Sequence, residues 1–373
     1  MNKVEIVPVT HTNQLRQFIK FPWSLYRNDP FWVPPLLVDM KKLLDKTRHP
    51  FFAHSSVEFF LARCNGEWVG RIAAILNNNH NSFHNERTAF FGFFESINDG
   101  DVASALLNRA AQWARDRGMD ELRGPMNYST NETLGILVEG FDSYPFIMMT
   151  HNPEYYSSLI EGAGFEKAMD LYAWWLWTEN GLNPKIIRVG QKVLNDEGVR
   201  IRPLNRKSFW EEAKIIQRIY NDAWSTNWGF VPMTDAEFEH MAKDLKTIVD
   251  PRVVLIGEKN DVPVAFSLAL PDFNQALKKI NGRLFPVGLP LLLYHARRID
   301  RVRVLALGIA KRIQNWSGLG AALYYESFRR GVDAGYRGCE FSWTLESNEL
   351  INRSMKLFGA KVYKRYRIYQ KKI

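Results

Sequence analysis

The sequence predicts a mixed α/β protein (α+β in the sense of a mixed sheet flanked by helices), built as two tandem domains. Two observations carry this reading. The chain has 373 residues, more than one domain usually holds. Its two halves also repeat one order of elements: helix, helix, β-hairpin, strand, helix, strand, helix.

In the first half, "TNQLRQFIKFPWSLYRN" and "LLVDMKKLLDK" have helical spacing, and "VEFFLARCNGEWVGRIAAIL" is a hairpin around Asn65-Gly66. The strand "RTAFFGFFES", the helix "GDVASALLNRAAQWARDRGM" and the strand "DELRGPMN" follow, and after an irregular stretch comes the helix "PEYYSSLIEGAGF". In the second half, "RKSFWEEAKIIQRIYNDAW" and "TDAEFEHMAKDLKTIV" are helical, the latter behind a Thr234 cap with Glu237 three residues on. "RVVLIGEKNDVPVAFSLAL" is the second hairpin. After an insertion from Pro271 to about Asp300 come the strand "RVRVLALGIA", the helix "GLGAALYYESFRRGVDAGY", the strand "GCEFSWTL", the helix "NELINRSMKLFGA" and the strand "KVYKRYRIYQ". Glycine, proline and asparagine cluster in "TENGLNPK", which places the boundary between domains 1–180 and 181–373.

Composition narrows the function classes. The net charge of +9 divides unevenly: residues 1–180 carry 16 Lys/Arg against 21 Asp/Glu, and the remainder carry 33 against 19. A basic half suits an anionic partner such as a phosphorylated cofactor, a membrane surface or nucleic acid; a solvated basic face is the alternative. Cys64 and Cys339 lie far apart without metal spacing, and the eight histidines are scattered, His80 and His84 sharing i, i+4 spacing without a further ligand. No metal is expected. The opening "MNKVEIVPVTHTN" reads as no cleavable signal, so a cytoplasmic protein is expected.

The segment "NWSGLGAALYYE" carries the first chemical signal, a glycine pair running into a helix. This setting resembles the GNAT acyltransferase fold, in which a Gln/Arg-x-x-Gly-x-Gly/Ala loop offers helix N-terminal amides to the pyrophosphate of acyl-CoA. The resemblance implies acyl-CoA or acetyl-CoA as co-substrate. It assigns cofactor binding to Leu307 and Ile309 on the preceding strand, and to Gln314, Asn315, Ser317, Gly318, Leu319 and Gly320 in the loop. Asn315 and Trp316 depart from the family's pattern, but backbone amides at a helix start still favour an anion. Asn348, eleven residues before Gly359, matches a family asparagine for both cofactor binding and catalysis, and an N-cap would also explain it. The family's general-acid tyrosine falls on Met355, which cannot donate a proton.

For the acceptor amine, Glu346 at the end of "GCEFSWTLE" is the base candidate. A surface carboxylate is its plainer reading. Tyr363, Tyr366 and His151 are further proton carriers to weigh. The first half places an acidic stretch, "FFESINDGD", where the glycine loop would stand, and reads as a degenerate domain on the acceptor side. Asn127, Ser129, Asn131, Glu132 and Tyr155 form its candidate substrate-binding group, an aromatic-packed loop being the alternative.

Across nearly its whole length the chain resembles a bacterial family of tandem GNAT-like proteins, through "RNDPFWVPPL", "HPFFAHSSVEFFLA", "VEGFD", "HNPEYY", "GFEKAMDLYAW", "SWTLESN" and "YKRYRIY". Some members are similar to bacterial ceramide synthases, which implies a small-molecule or long-chain lipid amine as acceptor. Two other readings stay open: an aminoacyl-tRNA-dependent transferase, and a non-catalytic acyl-CoA- or lipid-binding protein. The first lacks strong basic runs beyond the cofactor cleft, so nucleic acid is not the expected partner. In the insertion, "LFPVGLPLLLY" is too short to cross a bilayer. Flanked by Lys278, Lys279, Arg283, Arg297, Arg298, Arg301 and Arg303, the segment 278–303 suits a membrane surface, peripheral on the inner face, or a buried helix with basic edges.

Overall fold

The two hairpins fold where their turn residues require. Asn65 and Gly66 have φ of 51° and 87°, and Asn260 and Asp261 have 50° and 61°. This left-handed pair is what a two-residue loop needs to match the twist of its strands. A computed structural model describes residues 4–196, 198–313 and 318–373. In chain order the first half forms β1 (Glu5–Pro8), α1 (Thr12–Leu25), α2 (Leu37–Leu43), β2 (Ser56–Cys64), β3 (Glu67–Leu76), α3 (Asn78–His84), β4 (Thr88–Ser96), α4 (Gly100–Arg115), β5 (Glu121–Gly124), β6 (Ile136–Glu139), α5 (Tyr156–Gly162) and β7 (Glu166–Trp177). The second half forms α6 (Pro184–Leu194), β8 (Val199–Pro203), α7 (Phe209–Trp224), α8 (Asp235–Leu245), β9 (Val254–Lys259), β10 (Val262–Pro271), α9 (Asn274–Leu277), α10 (Gly288–Ala296), β11 (Arg301–Ile309), α11 (Leu319–Asp333), β12 (Gly338–Leu345), α12 (Glu349–Phe358) and β13 (Lys361–Lys372).

The chain divides into two compact units. One holds residues up to Asp170, Leu277–Leu292 and Lys364–Ile373; the other holds Leu171–Ala276 and Leu293–Tyr363. In the first unit the strands run β1-β2-β3-β4-β5-β13, with β6 also on β13. In the second they run β8-β9-β10-β11-β12-β7. The two sets of strands share one plan, antiparallel except for a single parallel pair, β4 with β5 and β11 with β12. Each is completed by a strand from the other half of the sequence.

Short strands and helices outside the repeated pattern also form. β1 and β8 span four and five residues, too few for alternation to register in the sequence. α6 was not expected, and it packs on α11, where a Cβ at Gly190 would stand 2.8 Å from Tyr325 Cβ. The Thr234 cap forms as read: its hydroxyl accepts from Glu237 N at 3.2 Å, and the Glu237 carboxylate accepts from Thr234 N at 2.9 Å.

Burial explains the two central helices. α4 turns Val102, Ala103, Leu106, Ala110 and Ala114 onto Phe60, Ile72 and Phe91 of its sheet. α11 buries Leu319, Ala322 and Leu323 against Leu255 and Ala265. Met355 and Phe358 of α12 join Trp174, Val302 and Phe341 in a second cluster.

Candidate functional site

The second unit has a parting of two parallel strands. β11 and β12 pair over Arg301–Val304 and Gly338–Phe341, and both then run on, to Ile309 and Leu345. At that point the register of β11 on β10 slips by one residue between Leu268 and Ala269, so Leu305 is a bulge. A bulge adds twist and bends its strand, which turns β11 away from β12. Leu307 and Ile309 lie just beyond, paired to Ser267 and Ala265 of β10.

α11 starts beside this parting. Gly318 is its N-cap, with φ +106°, and a Cβ there would stand 2.7 Å from Val193 Cγ2 and 3.2 Å from Val189 Cγ1. Both the backbone and the packing therefore require glycine. Gly320 differs: among the described residues a Cβ there would meet nothing nearer than Ile309 Cδ1 at 3.6 Å, so none of them requires glycine at 320. The first helical bond runs from Ala322 N to Gly318 O (2.9 Å), and the first turn holds no acidic residue. Its leading amides fit an anion. Leu319 is wholly buried, and its side chain belongs to the core under α11. Gln314, Asn315 and Ser317 lie outside the described residues.

The remaining predicted residues of this unit sit at the end of β12. Asn348 caps α12, its Oδ1 accepting from Ile351 N at 3.2 Å. Glu346 is half-buried two residues before it. Asn352 fixes that turn by donating to Leu345 O (2.9 Å) and Glu346 O (3.2 Å). Met355 is 1% exposed, a core residue. Tyr363 donates to Glu340, which is buried with Ser342 and Arg303; Arg303 Nε reaches Ser342 Oγ at 2.8 Å. Tyr366 is wholly buried in the first unit.

The first unit has the same two features, each filled by one of its own side chains. β4 and β5 pair over Thr88–Phe90 and Glu121–Arg123, and the register of β4 on β3 slips at the same place in the plan. There Phe93 has φ +49°, and its N–H donates to Asn127 Oδ1 at 2.8 Å. Asn127 Nδ2 in turn donates to Thr133 Oγ1 at 2.7 Å. The start of α4 is likewise taken, because the Asp99 carboxylate accepts from Asp101 N (2.8 Å) and Val102 N (3.2 Å). An anion at those amides would meet a carboxylate already in place.

Asn127, Ser129, Asn131 and Glu132 thus share one loop. Ser129 Oγ accepts from Asn131 N (3.2 Å), and Ser129 O accepts from Glu132 N (3.1 Å). Tyr155 lies apart from them in the chain and donates to Ser96 O at 2.9 Å; burial, then Glu95, pushes its pKa up to about 12. The sequence reading did not isolate the buried group next to it. Glu95 Oε2 accepts from Tyr26 (2.6 Å) and Tyr156 (2.7 Å), while Arg71 reaches its Oε1 at 3.3 Å. His151, weighed above as a proton carrier, has Nε2 2.7 Å from Asp29 Oδ2, which ties "HNPEYY" to "RNDPFW". Its Nδ1 is buried and finds no hydrogen-bond partner among the described residues. Burial raises the pKa of Asp29, but hydrogen bonds from His151 and the Phe31 and Trp32 amides outweigh it and hold the carboxyl below its usual range. Among the described residues no group of three or more His, Cys, Asp or Glu could hold a metal ion.

Comparison with solved structures defines the class. A tandem GNAT protein from the clavulanic acid biosynthesis pathway aligns with TM-score 0.59 and 13% identity, covering 99% of this chain and 98% of that one. A probable N-acyltransferase from Enterococcus faecalis V583 aligns with TM-score 0.52 and 8% identity, over 100% of this chain and 73% of the other. The fold is therefore that of tandem GNAT proteins, an N-acyltransferase fold. No family model matches the chain. Two curated relatives do: protein YghO of Escherichia coli K12, 36% identical over 97% of this chain and 93% of its own length, and the bacterial ceramide synthase of Caulobacter vibrioides, 34% identical over 99% and 97%. The chain belongs to the family of these two proteins.

Proposed function

We propose that this protein is an acyl-CoA-dependent N-acyltransferase whose acceptor is a long-chain lipid amine. The observation that carries the reading is the contrast between units. One plan is built twice; Asn127 and Asp99 fill its two ligand features in the first unit, while Gly318 and Gly320 shape an anion-ready helix start in the second. Kinship with a ceramide synthase supports the lipid amine, since a ceramide is the N-acyl product of a long-chain amino alcohol.

In this reading the amides at the start of α11 bind the pyrophosphate of the thioester substrate, and the backbone of β11 past Leu305 lies along its acyl arm. An N–H of that strand polarises the thioester carbonyl. The neutral amine attacks the carbonyl carbon: a C–N bond forms, the C–S bond breaks, and the CoA thiolate leaves. The ammonium proton passes to Glu346, directly or through water; Asn352 holds the turn that carries it, and Asn348 caps the helix that follows. Because Met355 has no proton to give, the thiolate takes its proton from water. The test is thiol release from long-chain acyl-CoA with a long-chain amino alcohol as acceptor. We expect release that depends on both substrates and falls about tenfold or more in Glu346→Gln. Absence of release with every chain length tried would overturn the proposal.

A further inference from the structure

The insertion between β10 and β11 exposes an apolar surface that the fold does not use. Among the described residues, six of the sixteen exposed large hydrophobics fall within ten positions: Phe285, Val287, Leu289, Leu291, Leu293 and Tyr294. Phe285 is 78% exposed and Leu293 58%. The helix they lead into, α10, has the sequence GLPLLLYHA, with no Asp, Glu, Lys or Arg and with His295 in its last turn. A helix this apolar belongs in an apolar medium rather than in water.

This exposure is built rather than frayed. Trp23 Nε1 donates to Asn281 Oδ1 at 3.1 Å, Leu37 N donates to Gly282 O at 3.0 Å, and Lys278 Nζ donates to Pro30 O. Gly282, at φ +71°, lies so close to Pro35 O that a Cβ would come within 2.4 Å. The stretch from Trp23 to Leu37, which includes "RNDPFWVPPL", thus serves as the seat of the insertion. Farther on, Leu289 N closes on Leu284 O at 2.7 Å and starts the helix.

Charge identifies the occupant. From Phe273 to Ile299 the chain has no Asp or Glu, and Lys279, Arg283, Arg297 and Arg298 are exposed around the apolar stretch. The Arg298 guanidinium lies over the Tyr294 ring at 4.2 Å, setting a cation directly beside the apolar face. Aromatic and aliphatic side chains ringed by cations match the boundary between acyl chains and anionic headgroups. No helix among the described residues is long and apolar enough to cross a membrane. We infer that residues 279–298 dock the protein onto an anionic lipid surface, with α10 lying in the interface. The inference rests on exposed side chains and not on the acyl-transfer reading, though docking would bring the protein to a lipid acceptor.

Sedimentation of the full chain with phosphatidylglycerol vesicles, against phosphatidylcholine vesicles, tests it. We expect binding to the former that falls tenfold or more between low and high salt, as screening removes the cationic contribution. Phe285→Asp/Leu293→Asp and Arg297→Glu/Arg298→Glu should each weaken binding about tenfold or more, with circular dichroism and melting temperature unchanged. Absence of vesicle binding, or binding unaffected by both variants, would overturn the inference. So would sedimentation velocity showing that the aspartates dissociate a dimer, since the face would then be a contact between two copies. Vesicle binding needs no turnover, so its failure leaves the acyl-transfer proposal standing, and the reverse holds.

Discussion

His80 shows how a single buried side chain ties the fold to pH. It sits in α3 with its side chain 2% exposed, Nε2 3.1 Å from Glu86 Oε2 and its ring against Phe90 and His84. Burial pushes its pKa down from 6.5 to about 4; the Glu86 hydrogen bond opposes this, and the charges of His84 and Arg123 add to it. Between those two values the unfolded chain binds a proton that the folded chain refuses, so stability falls as pH drops through that window. From pH 7 to pH 5 the loss should be about 2 kcal/mol, read as a lower urea midpoint. His80→Gln should remove that slope; an unchanged slope would place its origin elsewhere. The two glycines of the α11 loop give a second contrast at this scale. Gly318→Ala should cost about 1–2 kcal/mol from its positive φ alone, before any clash with Val193. Gly320→Ala should leave the melting temperature unchanged or raise it, and Gly320→Asp should abolish CoA binding in calorimetry without unfolding the protein.

At the scale of elements, one plan has been given two different helix starts by its loops. α4 and α11 hold the same place in their units, but Asp99 caps the first and a left-handed glycine starts the second. The sequence made this difference legible, because Asp99 and Asp101 stand where the glycines would be. The hydrogen bond between Asn127 and Phe93 was not legible. The acidic and polar neighbours of Asn127 suggested a pocket wall, whereas its partner, Phe93 N–H, lies 34 residues away across a bulge that no local pattern marks. The lesson is general for a polar side chain at a strand end: it serves a ligand or the chain's own backbone, and only the register decides. Asn127→Leu should therefore act as a stability mutation. Leaving the Phe93 N–H unsatisfied costs about 1–3 kcal/mol in urea unfolding. CoA affinity measured by calorimetry should not change; a large loss of affinity would show that Asn127 also acts on the cofactor side.

For the whole molecule, the repeat of elements was plain in the sequence, and the hairpin turns, the Thr234 cap and the glycine start of α11 could be assigned residue by residue. The exchange of final strands could not, because strand partners are set by pairing between distant segments and leave no periodic mark. β13 pairs with β5 through Tyr369 and Gly124, and buries Tyr366, Ile368 and Tyr369 completely. β7 pairs with β12 through Leu171 and Leu345, and places Trp174 and Leu176 in the core of the second unit. A chain ending at Asn180 therefore lacks the last strand of its own sheet, and a chain starting at Gly181 lacks β7. Each missing apolar side chain removes about 1.5–3 kcal/mol of burial, and each bare strand edge becomes a site for aggregation. Such losses are of the order of a domain's whole stability. Residues 1–180 and 181–373 expressed separately should be insoluble or fail to unfold cooperatively, whereas co-expression should return a soluble one-to-one complex. A cooperative thermal transition from either piece alone would show that the borrowed strand is dispensable.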